Sequence, residues 1–78
     1  MAIIFTIHAE EMLVKRKVKR KQVEECVRNP DKIVTEKEGV KAYLKDFGKN
    51  YLRLIVSEMG NNFVIITLHW VAKKRIKE

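Results

Sequence analysis

The spacing of apolar positions changes twice along this chain. Ile3-Ile4-Phe5-Thr6-Ile7 is an unbroken β-branched and aromatic run that predicts a strand from about Ala2. Thr6 can end that strand and cap a helix whose first turn carries His8, Glu10 and Glu11, acids suited to a positive helix N-terminus. That helix is expected to reach about Arg16. Val23, Cys26 and Val27 then recur at helical spacing and predict a second helix over Arg20 to Arg28. Its cap is Lys19, a poor cap residue, with Val18 and Val23 placed as a hydrophobic staple. Asn29-Pro30 stops it, because proline biases the preceding residue away from helical angles.

After Pro30 the period becomes two. Strands are predicted over Lys32 to Lys37, Val40 to Asp46, Tyr51 to Glu58 and Phe63 to Val71, with turns at Glu38-Gly39, Gly48-Lys49-Asn50 and Gly60-Asn61-Asn62. The expected order is β-α-α-β-β-β-β, an α+β domain with two N-terminal helices on one face of an antiparallel sheet. Residues opposite each other in a sheet share a face. Leu52, Leu54 and Val56 are thus expected under the helices with Val64, Ile66, Leu68 and Trp70. Tyr51, Arg53, Ile55 and Ser57 would then share the open face with Phe63, Ile65, Thr67 and His69. Val40, Ala42 and Leu44 alternate with Lys41, Tyr43 and Lys45, and the latter three are expected to extend that open face. Cys26, Met12 and Trp70 are read as core.

With 78 residues and 9.2 kDa the chain allows one domain, 1–78, with a basic tail from about 72 to 78. Its 46% hydrophobic and 35% charged composition is that of a globular chain. The longest apolar run, Phe63 to Leu68 interrupted by Thr67, is far short of the ~20 residues a membrane helix needs. Nothing near Met1 reads as a secretory signal, so the expected compartment is the cytoplasm and no membrane partner is expected. One cysteine and two histidines exclude a disulfide framework and a zinc site.

Charge adds a partner class. Seventeen Lys and Arg against ten Asp and Glu give a net +7. Ten of the seventeen lie in two stretches, Lys15 to Lys21 and Lys73 to Lys77. A heat-adapted ion-pair surface would interleave acids with these cations, and the first stretch contains none. Such a field attracts polyanions. Neither stretch belongs to a strongly amphipathic helix with exposed Trp or Phe, so nucleic acid is favoured over an anionic membrane.

The chemistry at hand is cations, hydroxyls, tyrosines and two imidazoles, with no phosphate-binding loop and no hydrolase motif. That set suits cleavage of RNA without metal or cofactor. Histidine handles both proton transfers near neutrality. Lys and Arg placed in advance stabilise the crowded phosphoryl group. Arg53 is the expected phosphate clamp, unless an acid such as Glu36 or Glu58 pairs with it. Tyr43 and Tyr51 are candidates for stacking bases, and Lys41 and Lys45 for meeting the backbone. The alternatives are a non-catalytic RNA- or DNA-binding module, and a basic domain that meets an acidic protein.

His8-Ala9, Arg16, Val18, Val23 and Asn29-Pro30-Asp31, with Thr67 in the last strand, resemble a family of small prokaryotic domains grouped with the RelE/ParE-like toxins. The resemblance spans nearly the whole chain on short motifs. It implies two N-terminal helices on a curved antiparallel sheet. It also implies a ribonuclease of a toxin–antitoxin pair that cuts messenger RNA, often on the ribosome, and is covered by a cognate antitoxin. His8, Arg16 and Thr67 become candidate catalytic residues by that match, and His69 joins them from the residue reading. The chain departs from the family at Met12, where a basic residue is usual, and at Lys19, where a better cap is common.

Overall fold

The computed structural model describes residues 2–73. Strand β1 (Ala2–Phe5) leads into helices α1 (Ile7–Lys15) and α2 (Arg20–Arg28). Strands β2 (Lys32–Lys37), β3 (Val40–Asp46), β4 (Asn50–Met59) and β5 (Asn62–Ala72) follow. Of the basic tail, Ala72 closes β5 and Lys73 bonds Asp46, while Lys74, Arg75 and Lys77 lie outside the described residues.

The ends of both helices are set locally. The Thr6 hydroxyl accepts the Ala9 N–H at 3.0 Å, satisfying one of the free donors of the first turn of α1. At the other end Val18 N–H bonds Leu13 O at 2.9 Å and Lys17 N–H bonds Val14 O at 3.2 Å. This is a Schellman ending, and its apolar contact joins buried Val18 and Leu13. Lys17 takes the left-handed position, φ 57°, that glycine usually fills. At α2 the Lys19 side chain has no acceptor, yet Gln22 Oε1 takes the Lys19 N–H at 2.9 Å, the reciprocal half of a capping box.

The five strands form one sheet in the order β1-β5-β4-β3-β2. β2 to β5 make the expected antiparallel meander, but β1 runs parallel to β5, pairing Ile3 with Phe63 and Phe5 with Ile65. The sheet is therefore mixed, not wholly antiparallel. Alternation announces a strand and is silent on its direction, and here the two helices carry the chain back before the meander begins. β1 covers only the first half of β5. Beside the second half runs α1, tied there by Trp70 Nε1–H donating to Arg16 O at 2.9 Å.

Register overturns two expectations. Asp46 pairs with Tyr51, so even positions of β3 oppose odd positions of β4, and Tyr43 meets Leu54. Lys41, Tyr43 and Lys45 thus lie on the helix face, not the open one, while Ala42 and Leu44 turn away from the helices. In β5 the pairing slips between Ile55 and Val56, leaving Ile66 as an extra residue. Beyond this bulge Ile65 and Phe63 replace Ile66 and Val64 on the helix face, and Ile65 is fully buried.

The core lies between that face and the helices. Leu52, Leu54, Val56, Ile65 and Leu68 meet Ala9, Leu13, Val23, Cys26 and Val27, with Tyr43 inserted edge-on to Phe63 at 6.2 Å. Met12 and Trp70 pack against this cluster. Burial pushes the Cys26 thiol up to about 12, so it stays protonated and is a packing group.

Candidate functional site

Two rows of paired residues cross the open face of the sheet. One runs Lys32, Leu44, Arg53, His69 from β2 to β5, and the next runs Val34, Ala42, Ile55, Thr67. Both end at the free side of β5, where α1 stands in place of a further strand. The bond from Thr6 N–H to Ile65 O at 3.2 Å joins the start of α1 to the bulge, and the Thr6 hydroxyl lies 3.1 Å from the carbonyls of Ile65 and Ile66. That anchor aims the first turn of α1 at Thr67.

His8 Nε2 and Thr67 Oγ1 are 3.0 Å apart, across 59 positions of sequence. One row further on, His69 is half-buried directly opposite Arg53. Its affinity for a proton is lowered first by burial, then by the guanidiniums of Arg53 and Arg16. The Arg16 backbone is held beside this edge by the Trp70 Nε1–H bond to its carbonyl, on the turn where the first basic stretch begins. His8, Arg16, Arg53, Thr67 and His69 are brought together at one edge. Tyr51 shares their face, and Lys73 Nζ sits 6.0 Å from its ring centre while pairing with Asp46 at 2.8 Å.

The other three candidates are elsewhere. Tyr43 is 5% exposed, and its hydroxyl donates to Glu58 Oε2 at 2.6 Å. Burial and that carboxylate push its phenol up to about 12. Lys41 pairs with the same carboxylate at 3.3 Å, and Lys45 donates to Asn29 O at the end of α2 at 2.9 Å. A buried ring offers no face for a base to stack on, and these three belong to the helix side.

Glu36 entered the sequence reading only as a possible partner of Arg53. Its Oε2 holds Arg53 Nη2 at 3.0 Å. The two close one side of a hollow of about 200 Å³ lined by Lys32, Val34, Glu36, Ala42, Leu44 and Arg53. The alternation of Lys32, Val34 and Glu36 in β2 was the available signal, but it pointed to no face until the β3 register was known. Among the described residues no three His, Cys, Asp or Glu side chains gather as a metal cluster, and no helix is long and apolar enough to cross a membrane.

Fold and site together define a small α+β domain, two helices on a five-stranded mixed sheet, with an imidazole- and guanidinium-rich edge on the uncovered side. The chain belongs to the DUF4258 family, described as a domain of unknown function, which matches residues 5–70. No curated protein and no solved structure gives a match.

Proposed function

We propose that this protein is a metal-independent endoribonuclease acting on messenger RNA, and that it is the toxin of a toxin–antitoxin pair. The observation that carries the reading is the gathering of His8, Thr67, His69, Arg53 and Arg16 at the free side of β5. In this reaction the ribose 2′-oxygen attacks the adjacent phosphorus and gives its proton to His69, which its surroundings keep neutral. Arg53 and Arg16 hold the charge that builds on the phosphoryl oxygens. The bond to the 5′-oxygen breaks, and that oxygen takes a proton from His8. The products are a 2′,3′-cyclic phosphate and a free 5′-hydroxyl. Thr67 orients His8 and offers its hydroxyl to a non-bridging oxygen.

The toxin half rests on the resemblance of His8-Ala9, Arg16, Asn29-Pro30-Asp31 and Thr67 to a family of small domains grouped with the RelE/ParE-like toxins. It implies an antitoxin whose acidic or amphipathic helix covers the cationic edge. Whether the ribosome is a partner is decided by whether free RNA is cut at all.

The test is incubation of the purified protein with RNA in excess EDTA, beside His8→Ala, His69→Ala and the double variant. Cleavage by the wild type, its loss in the double variant and RNA affinity that barely moves support the enzyme. RNA that stays intact, both free and on translating ribosomes, overturns it. Two observations favour a second reading, a non-catalytic RNA-binding module. Arg53 is already held by Glu36, and Met12 packs on the core where the resembling family has a basic residue. Such a module keeps its affinity without either imidazole and cuts nothing.

A further inference from the structure

The hollow beside Arg53 is unlike the rest of the open face. Its floor is Ala42 and Leu44, 1% and 6% exposed although no helix among the described residues covers them, with Val34 beside them. Its wall is the Glu36 carboxylate, held by Arg53 through one oxygen, Oε2. A carboxylate at an apolar slot on a protein of net +7 stands out, because phosphate contacts call for cations only. What it can do is accept hydrogen bonds from a base edge.

We infer that this hollow is a guanine-reading site. At about 200 Å³ it is below the ~300–1,000 Å³ of pockets for drug-sized ligands and suits one planar base. The base is seated in the hollow against the exposed Val34 side chain, above Ala42 and Leu44, with its Watson–Crick edge toward Glu36. Guanine alone presents two adjacent donors there, N1–H and the 2-amino group, which match the two oxygens of a carboxylate. Adenine, cytosine and uracil each present one donor next to ring or carbonyl acceptors that repel the negative charge. Arg53 fixes the carboxylate and neutralises part of it, so the cost of bringing it against an apolar floor falls. The placement also fits a nucleotide. Adjacent strands are about 4.8 Å apart, so the floor on β3 and the Thr67–His69 edge on β5 are separated by about 10 Å. That is the reach from a base to its own 3′-phosphate, with Arg53 between the two. The inference rests on the reading of this face as an RNA surface and deepens it to a base preference. It does not require that the RNA be cut.

The test is titration of the isotope-labelled protein with 5′-GMP, 5′-AMP, 5′-CMP and 5′-UMP, following backbone amide signals. GMP is expected to shift Val34, Ala42 and Leu44 and to bind on the order of tenfold more tightly than the other three. Glu36→Gln, an exposed and nearly isosteric change that leaves the fold intact, is expected to abolish that preference. Ala42→Val fills the floor with a strand-compatible side chain and is expected to weaken GMP binding by a similar factor. Equal binding of the four nucleotides, GMP shifts away from these residues, or an undiminished preference in Glu36→Gln overturns the inference. Because mononucleotides are not cleaved, a GMP preference with RNA left intact defeats the nuclease and keeps the guanine site. RNA cleaved without any GMP preference does the reverse.

Discussion

The two faces of the sheet bury apolar residues in different ways. On the helix face Leu52, Leu54, Val56, Ile65 and Leu68 are fully enclosed, and the polar groups that reach it are neutral or matched, as with Tyr43 and Glu58. On the open face Ala42 and Leu44 are almost as hidden, yet what stands around them is charged: Lys32, Glu36 and Arg53. Burial under a helix is stable in itself, since it removes apolar surface from water for good. Burial beneath charged arms from neighbouring strands leaves a hollow between the arms, open to a ligand. The contrast teaches that the same two-residue alternation supplies an enclosed core on one side and a hollow rimmed by charge on the other.

The sharpest way to break this division is to alter one side and measure the other. Replacing His8 and His69 together by Ala is expected to lower the cleavage rate by at least about 10²–10⁴-fold, since a general acid or base typically contributes that much. Thermal unfolding should barely move, as neither imidazole belongs to the core. A large fall in melting temperature would place these residues among the structural ones. The same edge predicts a pH limb. The folded state lowers the His69 pKa, so the catalytically useful neutral form persists below the ordinary histidine value of about 6.5 and is lost only as pH falls through the lowered value. The acid limb of kcat/KM should lie on the acid side of 6.5 and vanish in His69→Ala. A limb above 6.5 would contradict the burial and the two guanidiniums as its cause.

Next in size is the core. Leu54→Ala, on the helix face, should cost about 2–5 kcal/mol in urea unfolding, a large part of the stability of a small domain. Leu44→Ala should cost clearly less, because the hollow already beside it lets solvent fill the space. Equal costs would show the open face to be a second core. A smaller but still distinct effect belongs to Thr6, which caps α1 and joins it to the β5 bulge. Thr6→Ala should cost about 1–2 kcal/mol. It should also reduce cleavage, because the His8–Thr67 contact is held from that point, and Thr6→Ser should restore both. Cleavage unaffected by Thr6→Ala would mean that α1 finds its place without this anchor.

Much of the fold was legible because it is written in local signals. Thr6 as a cap, Asn29-Pro30 as a stop and the glycine turns place every element within a residue or two of its observed bounds. The Arg53–Thr67–His69 face was also legible, since opposite residues in a hairpin must share a side. What was hidden depends on register. The Asp46–Tyr51 pairing and the bulge at Ile66 each shift the alternation by one. An apolar-polar strand reads equally well either way up, so Tyr43 was expected outside and Leu44 inside. The parallel β1–β5 pair was hidden for a related reason: three β-branched or aromatic residues, Ile3, Ile4 and Phe5, look the same on either edge and in either direction. Glu36 followed Val34 and Lys32 onto a face that could not be named before that register was known.

Lys17 gives the finest cut between the two sides of the molecule. It holds φ 57° at the end of α1, where an L side chain costs about 1–2 kcal/mol and glycine costs nothing sterically. Part of that gain is returned, because glycine has more freedom to lose on folding. Lys17→Gly should therefore stabilise the protein by about 0–1 kcal/mol, read as a small rise in the urea midpoint. The same change removes one cation from the stretch Lys15 to Lys21 beside the proposed RNA edge. If that stretch contacts phosphate, the slope of log affinity against log salt should flatten by about 0.7 for single-stranded RNA, the share of one counterion. A variant that is more stable and binds RNA with a shallower salt dependence shows a strained residue kept for its charge. An unchanged slope with the same rise in stability would leave Lys17 as a solvated cation and move the RNA path away from the α1–α2 turn.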